Sequence, residues 1–100
     1  MSRDTSLDLC IPTDHQAFAG HFPGAPLLPG ALLLDEILRR LPPAAAARDA
    51  PLLLSAVKFL RPVVPGARLQ LRFERLADGG VRFSAREADA LVIDGVARQA

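Results

Sequence analysis

The chain has 100 residues, half of them apolar, and a formal net charge of +1. That length describes one domain, the charge excludes a strongly basic nucleic-acid binder, and no apolar run approaches the roughly 20 residues of a membrane span. A chain this short buries only about 60–65% of its unfolded surface, so so apolar a composition implies burial against a partner subunit, most simply in a homodimer.

The N-terminus, Met1-Ser2-Arg3-Asp4, is polar and no signal-peptide core follows it. The single Cys10 has no internal disulfide partner, so a cytoplasmic protein is expected. Cys10 itself reads as a small buried hydrophobe within a strand. Eleven arginines stand against one lysine, Lys58. The planar guanidinium suits carboxylates and phosphates, although genomic base composition accounts for the excess equally well.

Residues 5–11 alternate, with Leu7, Leu9 and Ile11 on one face and Ser6, Asp8 and Cys10 on the other, which predicts a half-buried strand. Pro12 ends it. The stretch GHFPGAPLLPG at 20–30 holds three of the nine prolines, three of the seven glycines and one of the two histidines. Proline fixes its own φ and extends the residue before it, so this loop is stiff without regular hydrogen bonding. It runs straight into an apolar segment, 31–41, interrupted only by Asp35, Glu36, Arg39 and Arg40. The spacing predicts one largely buried helix, closed by Pro42-Pro43. An alanine-rich connector, 44–50, carries little information.

Four further strands are predicted. Residues 52–59 are mostly apolar, and 62–66 form a turn-rich break. Residues 68–75 alternate with Leu69, Leu71 and Phe73 inward. After a hairpin turn at 77–80, residues 81–87 alternate with Val81, Phe83 and Ala85 inward. Residues 90–98 complete the set, with Gly95 signalling a bulge. The sum is an α+β domain: one antiparallel sheet and one buried helix.

Two side chains of the loop and helix suit proton transfer. His21 has the only kind of side chain whose ordinary pKa lies near neutrality. Asp35 lies about one turn into the helix, and in apolar surroundings desolvation favours its neutral acid. A base beside a protonated carboxyl suits removal of a proton from one carbon and protonation of a leaving group on the next. Gly30, at the helix start, has an amide without an intrahelical acceptor, placed to polarise a carbonyl. The residues also admit a plainer reading: His21 capping the loop, and Asp35–Arg39 and Glu36–Arg40 as i,i+4 ion pairs.

The segment GHFPGAPLLPGAL at 20–32 closely resembles the signature GHFPGxPxxPGxL of hot-dog-fold 3-hydroxyacyl-[acyl-carrier-protein] dehydratases. VKFLRPVVPGA at 57–67 is similar to a second segment of that family, VKFxxPVxPGD, with Ala67 in place of the acid. The resemblance implies a sheet wrapped around one central helix, in a dimer with a continuous sheet. It makes His21 the catalytic histidine and Asp35 the catalytic carboxylate, supplied by opposite subunits. Gly30 becomes the amide that binds the thioester carbonyl, and the Leu27 carbonyl orients the imidazole. Phe22, Leu27, Pro29 and Leu34 become substrate-binding residues beside the acyl chain.

The partner so implied is an acidic acyl carrier protein bearing a phosphopantetheine thioester, for which Arg61, Arg68 and Arg72 are docking candidates. No cofactor or metal is expected. The chain lacks the family's usual N-terminal helix and first strand, and so resembles compact dehydratase-like proteins of specialised acyl or polyene pathways. A hot-dog acyl thioesterase, with Asp35 or Glu36 activating water, and a non-catalytic acyl-carrier-binding subunit are the rival expectations.

Overall fold

Alternation of apolar and polar side chains builds the sheet in the computed structural model, which describes residues 4–11, 30–41 and 52–99. The strands are β1 (Asp4–Cys10), β2 (Leu52–Phe59), β3 (Arg68–Arg75), β4 (Val81–Glu87) and β5 (Ala90–Gln99), with one helix, α1 (Gly30–Leu38). They form a five-stranded sheet in the order β1-β3-β4-β5-β2, antiparallel throughout. Among the described residues, this is the single sheet and single helix expected of a hot-dog fold. The predicted loop up to residue 29 and the connector at 44–50 lie outside the described residues, while Gly30 opens the helix.

The inward row crosses the sheet in register. Leu71 pairs with Ala85 and Ala85 with Ile93; Phe73 pairs with Phe83, and Phe83 with Gly95. These side chains are all but inaccessible and share one cluster with Leu33, Ile37 and Leu41 of the helix segment. Spacing of i, i+4, i+8 puts those three leucine and isoleucine side chains on one stripe, which the sheet covers. Leu34 and Leu38 flank the stripe, partly buried. The other side of α1 is open: Ala31 and Leu32 are exposed. The helix is thus buried on one stripe, and not nearly all round as its composition suggests, because one sheet offers it one face.

The helix also ends earlier than Pro42 requires. Arg40 and Leu41 donate their amides three residues back, to Ile37 and Leu38, at 3.0 and 3.2 Å, the tightened last turn common at helix ends. The Arg40 guanidinium donates to both the carbonyl and the carboxylate of Glu36, at 2.6 and 2.9 Å. That satisfies a carbonyl near the end of the helix as well as forming the expected ion pair.

Cys10 corrects one expectation: it is exposed. It falls between Leu9 and Ile11, which both point into the core, so alternation turns its thiol outward, opposite Arg68.

Two bulges break the alternation elsewhere. On β5, Ile93 opposes Ala85 while Leu91 opposes Arg86, so Val92 is the extra residue. Val92 and Ile93 can then both be buried although they are consecutive. On β2, Ser55 opposes Val96 and Lys58 opposes Asp94, leaving Ala56 and Val57 to share Gly95. Ala56 takes φ 54°, a left-handed conformation that costs a residue bearing a Cβ on the order of 1 kcal/mol. The expected bulge at Gly95 is therefore carried by the strand beside it. Gly95 is needed there for another reason: a Cβ would stand 2.6 Å from Phe83 Cζ and 2.9 Å from Val57 Cγ2, inside any normal packing distance.

The β3–β4 turn is held by Asp78. Its Oδ1 accepts the Gly80 amide at 2.9 Å, and its Oδ2 accepts Nε and Nη2 of Arg98 on β5 at 3.0 and 2.8 Å. The Gly80 amide first, and the Arg98 guanidinium second, hold this carboxyl below its ordinary value of 3.8. No helix of the described residues is long and apolar enough to cross a membrane.

Candidate active site

Gly30 opens α1, so its amide has no acceptor within the helix and points out along the positive end of the helix dipole. The ring of Phe59, at the end of β2, lies directly against it. A Cβ at residue 30 would approach Phe59 Cε1 to 2.8 Å and Cδ1 to 3.0 Å. Only a residue without a side chain lets the ring come this close. Gly30, Leu33, Phe59, Leu60, Arg61, Pro62 and Val63 together line a depression of about 270 Å³. The end of the first motif and the middle of the second, far apart in sequence, thus meet at one place.

The floor of this depression is apolar and anchored. Val63 is 2% exposed and Leu33 likewise. The Leu60 amide donates to the Val92 carbonyl at 2.8 Å, which ties the segment after β2 to β5. Arg61 is exposed at the rim. An apolar pocket with one amide donor and one peripheral cation suits a thioester with an anionic extension.

Asp35 lies elsewhere. Five residues along a helix amount to about 140° of rotation, and Asp35 is not among the residues around Gly30. Its carboxylate meets Arg39 at 2.8 Å, with the Asp35 side chain 50% exposed. The apolar surroundings expected around Asp35 are not provided by the described part of this chain. Leu34 is half-buried and packs against the core. His21, Phe22, Leu27 and Pro29 lie outside the described residues.

The three arginine candidates separate. Arg61 borders the Gly30 depression, whereas Arg68 and Arg72 project from the outer face of the sheet, where Arg68 pairs with Cys10 and Arg72 with Ser84. A larger groove of about 470 Å³ includes Asp8, Cys10, Arg68, Gln70 and Arg86. It also includes Leu9, Leu69 and Ala88, and it shares no residue with the Gly30 depression. Motif position favours the smaller depression as the site. Phe59 was not assigned a role from the sequence. The available signal was its place in the second motif, but its direction depends on the β2 bulge, which alternation does not reveal.

The chain also resembles known proteins along most of its length. Residues 1–96 match the ApeI-like family, described as ApeI dehydratase. The chain is 33% identical over 89 residues to 3-hydroxyacyl-[acyl-carrier-protein] dehydratase FabZ of Anaeromyxobacter sp. (strain Fw109-5), covering 78% of this chain and 55% of that protein. The chain thus spans about half the length of the curated relatives it matches. Its fold superposes on a chain of the dehydratase heterocomplex ApeI:P from Xenorhabdus doucetiae with a TM-score of 0.81, at 24% identity, covering 99% of this chain and 88% of the other. A variant of the fluoroacetyl-CoA-specific thioesterase FlK, at 17% identity, shares the fold with a TM-score of 0.65, covering 100% and 92%. With nearly its whole length matched by one family, and both motif segments meeting at one depression, the chain belongs to the ApeI-like dehydratases.

Proposed function

We propose that the protein removes water from 3-hydroxyacyl groups carried as thioesters on acyl carrier protein, giving trans-2-enoyl products. The observation that carries this reading is the meeting of the two motif segments at Gly30, within a chain of a dehydratase family. In the reaction His21 takes the proton from C2. The electron pair forms the C2–C3 double bond as the C3–O bond breaks, and Asp35 delivers a proton to the departing hydroxyl, so that water leaves. The Gly30 amide donates to the thioester carbonyl, on whose oxygen negative charge develops. Phe22, Leu27, Pro29 and Leu34 flank the substrate, and Arg61 is the arginine best placed to meet an anionic carrier.

The carboxylate is supplied by a second copy. Asp35 sits apart from Gly30 on the helix and is half-exposed. Meanwhile β2 ends the sheet and presents Leu53, Leu54 and Phe59 at 59%, 40% and 51% exposure, followed by Leu60 at 52%. An edge strand this apolar is a ready template for strand pairing. A homodimer joined there extends the sheet and covers the open side of α1.

The test is incubation of the protein with 3-hydroxyacyl carrier protein, followed by mass spectrometry. Loss of one water is expected, and His21→Ala should abolish it; unchanged turnover in that variant sinks the mechanism. A second reading, thioester hydrolysis, draws on the half-exposed carboxylate of Asp35, which is open to water. It predicts a free acid and a free thiol in place of the dehydrated thioester. Binding of the acyl carrier without either product identifies a non-catalytic subunit.

A further inference from the structure

Phe59 reaches Gly30 through the bulge in β2. Leu54 opposes Ala97 on the inner face, and plain alternation from Leu54 turns Lys58 inward as well. The bulge takes up one residue. Lys58 then opposes Asp94, on the outer face with Ser84, while Phe59 opposes Ile93 and faces inward. The strand thereby exchanges a charge for an aromatic ring at the helix N-terminus. Burial does not account for this ring, because Phe59 is 51% exposed. Its ring lies against Gly30, where a Cβ would stand 2.8 Å from Phe59 Cε1 and could be accepted only if the ring moved.

We propose that Phe59 is a positioning residue for the Gly30 amide. The ring braces the Gly30 backbone, which sets the direction of the N–H, and it walls one side of the 270 Å³ depression so that water is kept from that hydrogen bond. The inference rests on the dehydratase reading for its kinetic consequence, and on the ring contact alone for its structural one. It assigns Phe59 no bond-making step; its effect is exerted through the amide.

The experiment compares wild type with Phe59→Ala, Phe59→Tyr, Gly30→Ala and the double variant Gly30→Ala/Phe59→Ala on 3-hydroxyacyl carrier protein. Phe59→Ala is expected to lower kcat about tenfold or more with KM changed less than about threefold, the pattern of a misaimed transition-state donor. Phe59→Tyr keeps the ring and should keep most of kcat. Gly30→Ala should also lose kcat, and the double variant should recover part of it by relieving the clash, a non-additivity that contact between the two residues demands.

The Gly30 amide resonance gives a readout without turnover: loss of the ring current should shift it in Phe59→Ala and leave it near its wild-type position in Phe59→Tyr. An unmoved resonance, or an unchanged kcat in a dehydrating enzyme, overturns the proposal, and so does equal loss in the alanine and tyrosine variants. If Phe59→Ala fails to fold, Phe59→Leu, which keeps an apolar side chain without a ring, is judged by the same kcat and resonance criteria. If wild type itself does not dehydrate, the proposed function fails, and the resonance together with a titration by a thioether analogue of the substrate still judges the ring: an analogue-induced shift at Gly30 that persists in Phe59→Ala overturns its positioning role.

Discussion

The β3–β4 hairpin and the β2 edge are both rich in apolar side chains, but only the hairpin hides them. Phe73, Val81 and Phe83 are 0–1% exposed, packed in register against each other and against α1. On β2, Leu53, Leu54 and Phe59 remain between 40% and 59% exposed. The hairpin alternates without interruption, whereas β2 breaks its alternation with a residue at positive φ. The centre of the sheet thus supplies stability, whereas the edge leaves apolar surface open, which the proposed function assigns to a second copy and to the site. On β2, backbone strain at Ala56 and exposed apolar surface, both costly to a free domain, coincide in one strand.

Substitutions sharpen this division. The largest effect on folding is expected from Phe83→Ala, which empties the centre of the core and should cost about 3–5 kcal/mol, read as a fall in the urea midpoint. Leu53→Lys on the edge should change the stability of the isolated chain by no more than about 0.5 kcal/mol, yet shift sedimentation toward monomer. If Leu53→Lys melts the chain as Phe83→Ala does, the two regions are one folding unit and the division fails.

The smallest effect belongs to Asp78→Asn at the far end of the hairpin. The folded-state pKa of Asp78 is lowered, so its contribution is present above the ordinary value of 3.8 and fades as acidification passes through the lower folded value. The variant should be slightly less stable than wild type at neutral pH, and the difference should close below pH 3.8. A difference that grows on acidification contradicts the hydrogen bonds described for this turn.

What could be read from the sequence follows the same boundary. The strands at 68–75 and 81–87 were legible because one face is buried and the other wet, so every second residue reports its direction. The 57–67 and 20–32 motifs identified the family from residue types alone. Within the single chain α1 is buried on one stripe, and composition does not tell which neighbour covers each face. The thiol of Cys10 was legible from its flanking Leu9 and Ile11, but the general preference of cysteine for interiors pointed the other way. The direction of Phe59 was not legible. Ala56 carries no glycine signal for its φ of 54°, and a bulge shifts every later side chain without leaving a mark of its own. The separation of Gly30 from Asp35 was legible in their five-residue spacing, which turns them about 140° apart on a helix.

The β2 bulge has a genetic corollary. Because Ala56 is the surplus residue between the Ser55–Val96 and Lys58–Asp94 pairs, loss of its single codon would leave Val57 opposite Gly95 and keep Lys58 and Phe59 facing as they do now. Gain of one codon in the same place would instead turn Lys58 onto Gly30. Insertions and deletions at this point of the chain are therefore unequal: one lineage of length variants retains the aromatic wall, and the other replaces it with a cation.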